Sequence, residues 1–236
     1  MNKYSLSVVF CAVDESDLLA QVYRKIAAFD LADEFVFILS KRCSAACHRT
    51  VEEICQRESK ARFVTQDGIG LGNAIQCGMK QVAGTHMIVW PADDGMDTAS
   101  FPKMVALSKE NPEAIVKVSR WLEKGSFIAY NKIRVVINYL SQRLFALLSR
   151  APLTDFTNPT QIAPVRVYRS IRWEYEDARM IPEMVFKPIN REVRFIEEPC
   201  RDISRRSSAS HVKFCILVKY YFVIFKLIAQ KREKLG

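Results

Sequence analysis

The chain has 236 residues, of which 49% are hydrophobic and 26% charged, with only 8 glycines and 9 prolines. This balance excludes a disordered, collagen-like or low-complexity chain, and the length suffices for one large domain with a sizeable core. The formal net charge is +9, and +7 of it comes from residues 201–236, where nine Lys and Arg stand against two acidic residues. A basic end on a nearly neutral body predicts an anionic partner, either a lipid surface or nucleic acid.

The seven cysteines are odd in number and scattered, and the first residues run directly into a short apolar segment. A secreted disulfide framework would show paired cysteines after a signal peptide. We therefore expect reduced thiols in a cytoplasmic protein. Cys43, Cys47, His48 and Cys55 are close enough in sequence for a metal cluster, but the second clustered pair of a structural zinc site is missing. Buried small residues are the favoured interpretation.

The first half of the chain alternates strand and helix patterns. Four continuous apolar runs are typical of strands buried on both faces, and each is followed by a segment with helical spacing. The predicted strands are Leu6–Ala12, Phe35–Leu39, Ala61–Val64 and His86–Trp90. Gly84 is the predicted C-cap of the third helix. This alternation predicts an α/β fold with a mostly parallel central sheet flanked by helices.

The second half is less regular. Ala114–Val118, Gln161–Tyr168 and Glu192–Glu197 are predicted strands, and Lys132–Leu148 is a predicted long helix. Since no repeat or flexible linker interrupts the sequence, residues 1–212 are predicted to form a single domain with two functional halves.

Residues 213–236 are predicted to form a basic amphipathic helix. Phe214–Ala229 is apolar except for Lys219 and Lys226, which fall with Gln230 within about 40° of one another around a helix. The apolar run is too short for a membrane span, which needs roughly 20 residues. We expect an interfacial helix that places the protein peripherally on the cytoplasmic face of an anionic membrane. Packing on its own domain, or on a second subunit of a homo-oligomer, is the alternative.

Polar residues follow several predicted strands, where ligands bind in open α/β sheets. Asp93 and Asp94 follow the fourth strand, and Gly68–Gly72 precedes the third helix. A glycine-rich loop at a helix N-terminus suits phosphate, and closely spaced aspartates offer hard oxygen ligands to Mg²⁺ or Mn²⁺. These features predict a phosphate ligand bridged by a divalent cation. A capped, solvated turn is the alternative explanation of the two acids.

The order and spacing of these features resemble family 2 glycosyltransferases of the GT-A fold, particularly polyprenyl-phosphate sugar synthases such as dolichyl-phosphate mannose synthase. The strongest match is QDGIGLGNAIQCGMKQVAGTHMIVWPADD at 66–94, and SVVFCAVDESDLL at 7–19 resembles the opening of the family pattern. Ser119–Trp121, Asp155–Thr157 and 205–211 resemble later elements. The resemblance covers residues 5–212 and implies a nucleotide-sugar half, 1–118, and an acceptor half, 119–212.

The resemblance implies inverting transfer of a sugar from a nucleotide-sugar to a lipid-linked acceptor, either polyprenyl phosphate or a growing glycan or glycolipid. The implied donor-binding residues are Ala12, Asp14, Glu15, Ser40, Gly70, Gly72, Asp93 and Arg120. Asp93 and Asp94 are the implied ligands of Mg²⁺ or Mn²⁺, and Arg134, Arg205 and His211 are the implied acceptor-binding residues. Asp155 is the implied catalytic carboxylate, needed where the acceptor is a hydroxyl rather than an anionic phosphate.

Departures from the family pattern leave a second hypothesis open. Pro91 stands at the first acidic position of D-x-D, Ser40 lies where the family has acids, and His211 replaces a lysine. A catalytically impaired GT-A scaffold that binds a partner or a membrane is therefore the alternative function. Nucleic-acid binding rests only on the basic end, since no aromatic–basic stacking platform is visible, and we expect no nucleic-acid partner.

Overall fold

The computed structural model of the chain describes residues 3–127, 132–202 and 214–230, and the side chains of all of these except 214–218. The strands of this described part are β1 (Leu6–Ala12), β2 (Glu34–Leu39), β3 (Ala61–Thr65), β4 (His86–Trp90), β5 (Ile115–Ser119), β6 (Gln161–Pro164) and β7 (Phe195–Pro199). Its helices are α1 (Ser16–Ala27), α2 (Ala45–Arg57), α3 (Leu71–Gln81), α4 (Ser100–Glu110), α5 (Lys132–Ser149), α6 (Val165–Ser170), α7 (Met180–Asn190) and α8 (Phe214–Ala229).

The strands form one seven-stranded sheet in the order β3-β2-β1-β4-β6-β5-β7. All of them run in the same direction except β6, which is antiparallel to its neighbours β4 and β5. The expected α/β fold with a mostly parallel sheet flanked by helices is confirmed. The carboxyl ends of six strands therefore meet at one edge of the sheet, together with the amino end of β6, and this edge is called the ligand edge below.

Apolar side chains cover both faces of the sheet. On one face Val8 and Phe10 of β1 pack with residues of α1, α2 and α4, and on the other Val9 packs with residues of α3, α6 and α7. This two-sided burial explains the continuous apolar runs in the sequence. A third cluster joins α5, α7 and α8 around Phe145 and Phe186. The core thus holds the ligand edge between helices on both faces.

Two predicted strands are partly wrong. The strand predicted at Gln161–Tyr168 ends at Pro164, where α6 begins, because proline has no N–H to continue a ladder and suits a helix start. The strand predicted at Glu192–Glu197 begins only at Phe195. Glu192 has a φ of 59° and lies in the turn that closes α7, so the chain there is not extended.

The predicted helix cap at Gly84 is also wrong. Helix α3 ends at Gln81, and Val82 is already extended. Gly84 instead lies against β1, where its N–H donates to Ser7 Oγ at 3.0 Å and an added Cβ would lie 2.6 Å from the same oxygen. Glycine is needed there for the close approach of two chain segments.

One face of helix α8 packs on the chain's own domain, as the alternative interpretation proposed. Val223, Ile224 and Leu227 are buried in the cluster with α5 and α7, and Asn190 Nδ2 donates to Leu227 O at 2.8 Å. Phe222 and Phe225 stay exposed. Helix α8 therefore has one face on the domain and one face open.

Candidate active site

A buried ion pair lies at the ligand edge between the end of β5 and the segment before β6. Arg120 Nε donates to Asp155 Oδ2 at 2.7 Å, and Arg120 Nη2 donates to Asp155 Oδ1 at 3.0 Å. Arg120 Nη2 also donates to Thr157 Oγ1 at 2.9 Å, and Arg120 Nη1 lies 3.5 Å from Asp202 Oδ2. This bidentate geometry fixes the plane of the guanidinium group.

The surroundings hold Asp155 in its ionised form. Burial alone would raise its pKa, but the Arg120 charge and its hydrogen bonds, with Lys117 nearby, hold the pKa well below its usual range. Oδ1 also accepts from the N–H groups of Thr157 and Asn158 at 3.1 and 3.2 Å. An anion with these partners is a poor proton acceptor.

Two further charged groups lie behind this pair. Lys117 is fully buried in β5 and donates to Asn158 O, and burial lowers its pKa to about 8. Glu197 of β7 accepts from the N–H groups of Thr154 and Asp155 at 2.8 and 2.9 Å, and burial raises its pKa. These hydrogen bonds hold the backbone that carries Asp155.

Helix α5 is attached to the same cluster through one residue. Gln142 is 2% exposed, its Oε1 accepts from Phe156 N at 2.7 Å, and its Nε2 donates to Thr157 Oγ1 at 3.0 Å. The inner face of α5 therefore sets the position of the segment that follows Asp155. Arg134, a predicted acceptor-binding residue, is exposed in the first turn of the same helix.

The glycine loop makes a close backbone contact with a distant segment. Added Cβ atoms at Gly70 and Gly72 would each lie 2.6 Å from backbone atoms of Glu176, and Gly70 has a φ of 106°. Asn73 N donates to Glu176 O at 2.8 Å. Both predicted donor-binding glycines thus have a packing reason of their own, and one N–H at the start of α3 is already bonded.

The acids after β4 differ in their availability. Both oxygens of Asp94, which is 7% exposed, accept from Lys25 Nζ at 2.8 and 2.9 Å. Asp93 is exposed, and its Oδ1 accepts from Gly95 N at 3.1 Å. Among the residues that the structure describes, no three His, Cys, Asp or Glu side chains are grouped to hold a metal ion. Of the two acids, Asp93 is therefore the one whose carboxylate is open to solvent.

The segments after β1 and β2 lie side by side at the ligand edge. Ser40 N donates to Ala12 O at 3.1 Å, and Ser44 N donates to Val13 O at 2.9 Å. Glu15 Oε2 accepts from the N–H groups of Val13 and Asp14, each at 2.9 Å. The structure thus brings together the predicted donor-binding residues of the first two strands. Asp14 is exposed there.

Arg205 and His211, predicted to bind the acceptor, lie outside the described residues. Sequence reasoning missed Lys25 and Lys117. Lysine inside the apolar run of β5 was a detectable signal, because a buried charge needs partners, whereas nothing in the sequence links Lys25 to Asp94.

Comparison with known proteins identifies the family of the chain. The pattern of glycosyl transferase family 2 matches residues 7–171. The chain belongs to this family. It is therefore a nucleotide-sugar glycosyltransferase, and the expectation of an enzyme of family 2 is confirmed. No curated protein matches the sequence.

Solved structures of glycosyltransferases share the fold. Glucosyl-3-phosphoglycerate synthase from Mycobacterium tuberculosis, in complex with Mn²⁺, UDP and phosphoglyceric acid, is 13% identical with a TM-score of 0.71, over 96% of this chain and 79% of that one. Mannosyl-3-phosphoglycerate synthase from Rubrobacter xylanophilus is 15% identical with a TM-score of 0.67, over 96% and 73%. At such identities the likeness shows the GT-A fold alone.

The length and hydropathy of the described helices bear on whether they can cross a membrane. None of those in residues 3–127, 132–202 and 214–230 is both long and apolar enough to span a bilayer.

Proposed function

We propose that this glycosyltransferase transfers its sugar to a polyprenyl phosphate, with inversion at the anomeric carbon, as in enzymes similar to dolichyl-phosphate mannose synthase. The observation that carries the proposal is the two-sided character of α5. Its inner face holds the Arg120–Asp155 cluster through Gln142, while its outer face exposes apolar residues such as Leu140 and Leu147. Such a helix suits an acceptor whose phosphate reaches the inner side of α5 while its apolar chain stays in a membrane, so that Leu140 and Leu147 face the membrane and do not bind the acceptor.

The state of Asp155 favours phosphate over a sugar hydroxyl as the attacking group. A hydroxyl needs a carboxylate to take its proton, whereas a phosphate acceptor is already anionic. Asp155 is ionised, fully buried and paired with Arg120, so it has little capacity to accept a proton. Its role in this proposal is to position Arg120, and transfer to a glycan or glycolipid hydroxyl is the less favoured version.

The donor is proposed to lie along the ligand edge. Ala12, Asp14, Glu15 and Ser40 border the place for the base and ribose, and Gly70, Gly72, Asp93 and Arg120 border the place for the diphosphate. Arg120 stabilises the charge that develops as the nucleoside diphosphate leaves.

A divalent cation, Mg²⁺ or Mn²⁺, is proposed to bind with the donor. One or two carboxylates plus substrate phosphates are a common ligand set for such ions, and Asp93 is the available carboxylate. Asp94 becomes a ligand only if Lys25 moves away from it. When bound, the cation neutralises charge on the departing diphosphate.

The acceptor assay uses the full chain with radiolabelled UDP- and GDP-sugars and Mn²⁺. Polyprenyl phosphate, a glycolipid and 3-phosphoglycerate are offered separately, each in the same detergent buffer. We expect product only with polyprenyl phosphate, and the coupling constant of its anomeric proton reports inversion. Arg120→Lys abolishes product because it removes the bidentate fork, while the matched change Arg57→Lys, at an exposed position ending α2, does not.

The other outcomes are decisive as well. Product only with 3-phosphoglycerate overturns the lipid acceptor, and product only with the glycolipid overturns the phosphate as nucleophile. If circular dichroism shows that the protein is folded but no donor and acceptor give product, the alternative of a catalytically impaired scaffold is supported.

A further inference from the structure

Helix α5 exposes an apolar stripe along its whole length. The stripe consists of Ile133, Val136, Ile137, Leu140, Leu144, Leu147 and Leu148, with exposed fractions between 42% and 74%. At 100° per residue these positions lie within an arc of about 120°, over a helix about 27 Å long. The buried residues Gln142, Phe145 and Ser149 lie on the opposite side. A stripe this long on the solvent side of a helix marks an interaction surface.

Helix α8 lies beside α5 and enlarges this surface. The hydroxyl groups of Ser141 and Tyr221 are 2.9 Å apart, and the rings of Phe145 and Phe225 have centroids 6.1 Å apart. On the outer side of α8, Phe222 is 70% exposed. Ten of the sixteen large apolar residues that are exposed in the described part of the chain lie on these two helices, so the apolar surface is concentrated there. We call it the α5/α8 surface.

The charges around this surface select its partner. Neither α5 nor α8 contains an acidic residue. Lys132 and Arg143 flank the stripe of α5 on one side and Arg134 on the other, and Lys219 is exposed on α8. A second copy would bring these cations against its own, which opposes a dimer through this surface. Anionic lipid matches both the apolar stripe and its basic borders.

We infer that the α5/α8 surface docks on an anionic bilayer, with α5 lying in the plane of the lipid headgroups. The inference extends the expectation of a C-terminal membrane helix, because α5 carries most of the contact. It rests on the proposed function for the need to reach a membrane-held acceptor. In this orientation the stripe enters the lipid while Gln142, on the inner side of α5, holds the Arg120–Asp155 cluster above the membrane.

Flotation of the full chain with vesicles tests the surface without donor or acceptor. We expect binding to vesicles of phosphatidylcholine with phosphatidylglycerol and much weaker binding to phosphatidylcholine alone. Leu140→Glu combined with Leu147→Glu reduces binding at least tenfold, because it places charge in the apolar contact. The control Phe63→Glu, at an exposed apolar position on β3, leaves binding unchanged. Arg143→Gln and Lys219→Gln each reduce binding about fivefold.

The outcomes separate this inference from the proposed function. If the surface docks on lipid, the Leu140→Glu/Leu147→Glu variant still glycosylates detergent-solubilised polyprenyl phosphate and loses only the reaction on vesicles. If the proposed function is wrong, the protein still binds vesicles but forms no glycosylated polyprenyl phosphate. Unchanged vesicle binding in the variant overturns the docking surface. The docking surface is also overturned if the wild-type protein does not bind vesicles but forms a dimer, and the same two substitutions convert that dimer to a monomer.

Discussion

Arg120 and Asp155, 35 residues apart, meet as a two-pronged ion pair in which Asp155 is fully buried and Arg120 only 12% exposed. Each residue follows or precedes a different strand, so the pair ties the end of β5 to the approach to β6. Removing one member of a buried pair leaves the other charge without compensation. The pair therefore links the two segments and also fixes the position of the Arg120 guanidinium group.

Replacing Asp155 by asparagine tests this link. Asp155→Asn should lower the free energy of unfolding by about 3–5 kcal/mol, because Arg120 loses its charged partner in a buried place. Asp177→Asn is the matched control, since its pair with Arg179 is exposed and such pairs contribute at most about 1 kcal/mol. Urea denaturation measures both. If the two substitutions lowered the free energy of unfolding equally, Asp155→Asn would not leave a buried guanidinium group without a charged partner.

The pKa of Asp155 also determines how the stability difference between wild type and Asp155→Asn depends on pH. The folded pKa of Asp155 lies below the unfolded value of about 3.9, so its ionised form stabilises the fold above that pH. The gap between wild type and Asp155→Asn should therefore be constant near pH 5 to 6 and shrink as the pH falls below about 4; the comparison stays below pH 7 because Asp155 also raises the pKa of Lys117. The transfer rate should show no ionisation of Asp155 between pH 5 and 8; a step there that vanishes in Asp155→Asn would restore a role as base.

Lys117 should cause a second pH effect on stability, which arises at alkaline pH from the lowered pKa of a buried lysine. Its folded pKa of about 8 lies below the unfolded value of about 10.4, so the unfolded chain holds the extra proton between these pH values. Raising the pH through this window therefore stabilises wild type relative to Lys117→Met, by up to about 3 kcal/mol. Denaturation of both proteins at pH 7.5 and 10 measures the difference, in which the titration of cysteines and tyrosines cancels. A gap independent of pH would show that Lys117 keeps its ordinary pKa.

Gly72 should tolerate substitution less well than Gly68. In Gly72→Ala the new Cβ meets backbone atoms of Tyr175, Glu176 and Asp177 at 2.6–2.7 Å, and backbone cannot move aside cheaply. We expect a loss of about 1–3 kcal/mol in the free energy of unfolding. In Gly68→Ala the three atoms nearest to the new Cβ all belong to the side chain of Asn73, which can rotate away, so its loss should be smaller. A larger loss for Gly68→Ala in urea denaturation would contradict the close backbone contact.

Asp93 and Asp94 should differ in metal-dependent nucleotide binding. Asp93→Asn should weaken the Mn²⁺-dependent binding of UDP or GDP at least tenfold, because it removes the available carboxylate. Asp94→Asn should change it less than threefold, because Asp94 is bonded to Lys25. Calorimetric titration with and without Mn²⁺ provides both values. A larger effect of Asp94→Asn would mean that Lys25 yields Asp94 to the metal.

The sequence predicts most of the fold because the buried strands are continuous apolar runs, and the predicted bounds of β1 and β4 are those that the structure has. Beyond Ala114 the predictions weaken, because β6 has only four residues and a proline turns the chain directly into α6. Tertiary contacts, rather than local pattern, determine these elements.

The candidate site is less accessible to sequence reasoning. Motif spacing places Arg120 and Asp155 among the candidate functional residues, but only folding brings their side chains together, since 35 residues separate them. The pairing of Lys25 with Asp94 likewise joins α1 to the turn after β4 and has no local signature. The apolar stripe of α5 has the spacing of a buried helix face, and only the structure shows that it faces solvent.

The reversed direction of β6 has a consequence for how this enzyme can diverge. Because β6 starts at the ligand edge, the connection between Ser149 and Gln161 ends in the site, whereas the chain beyond β6 leaves by the far edge. A residue gained or lost in that connection displaces Asp155 and, through it, Arg120. Length changes beyond Ser170 reach the pair through Glu197 and Asp202, which contact it from outside this connection. Acceptor preference in related chains should therefore vary with the length of this connection.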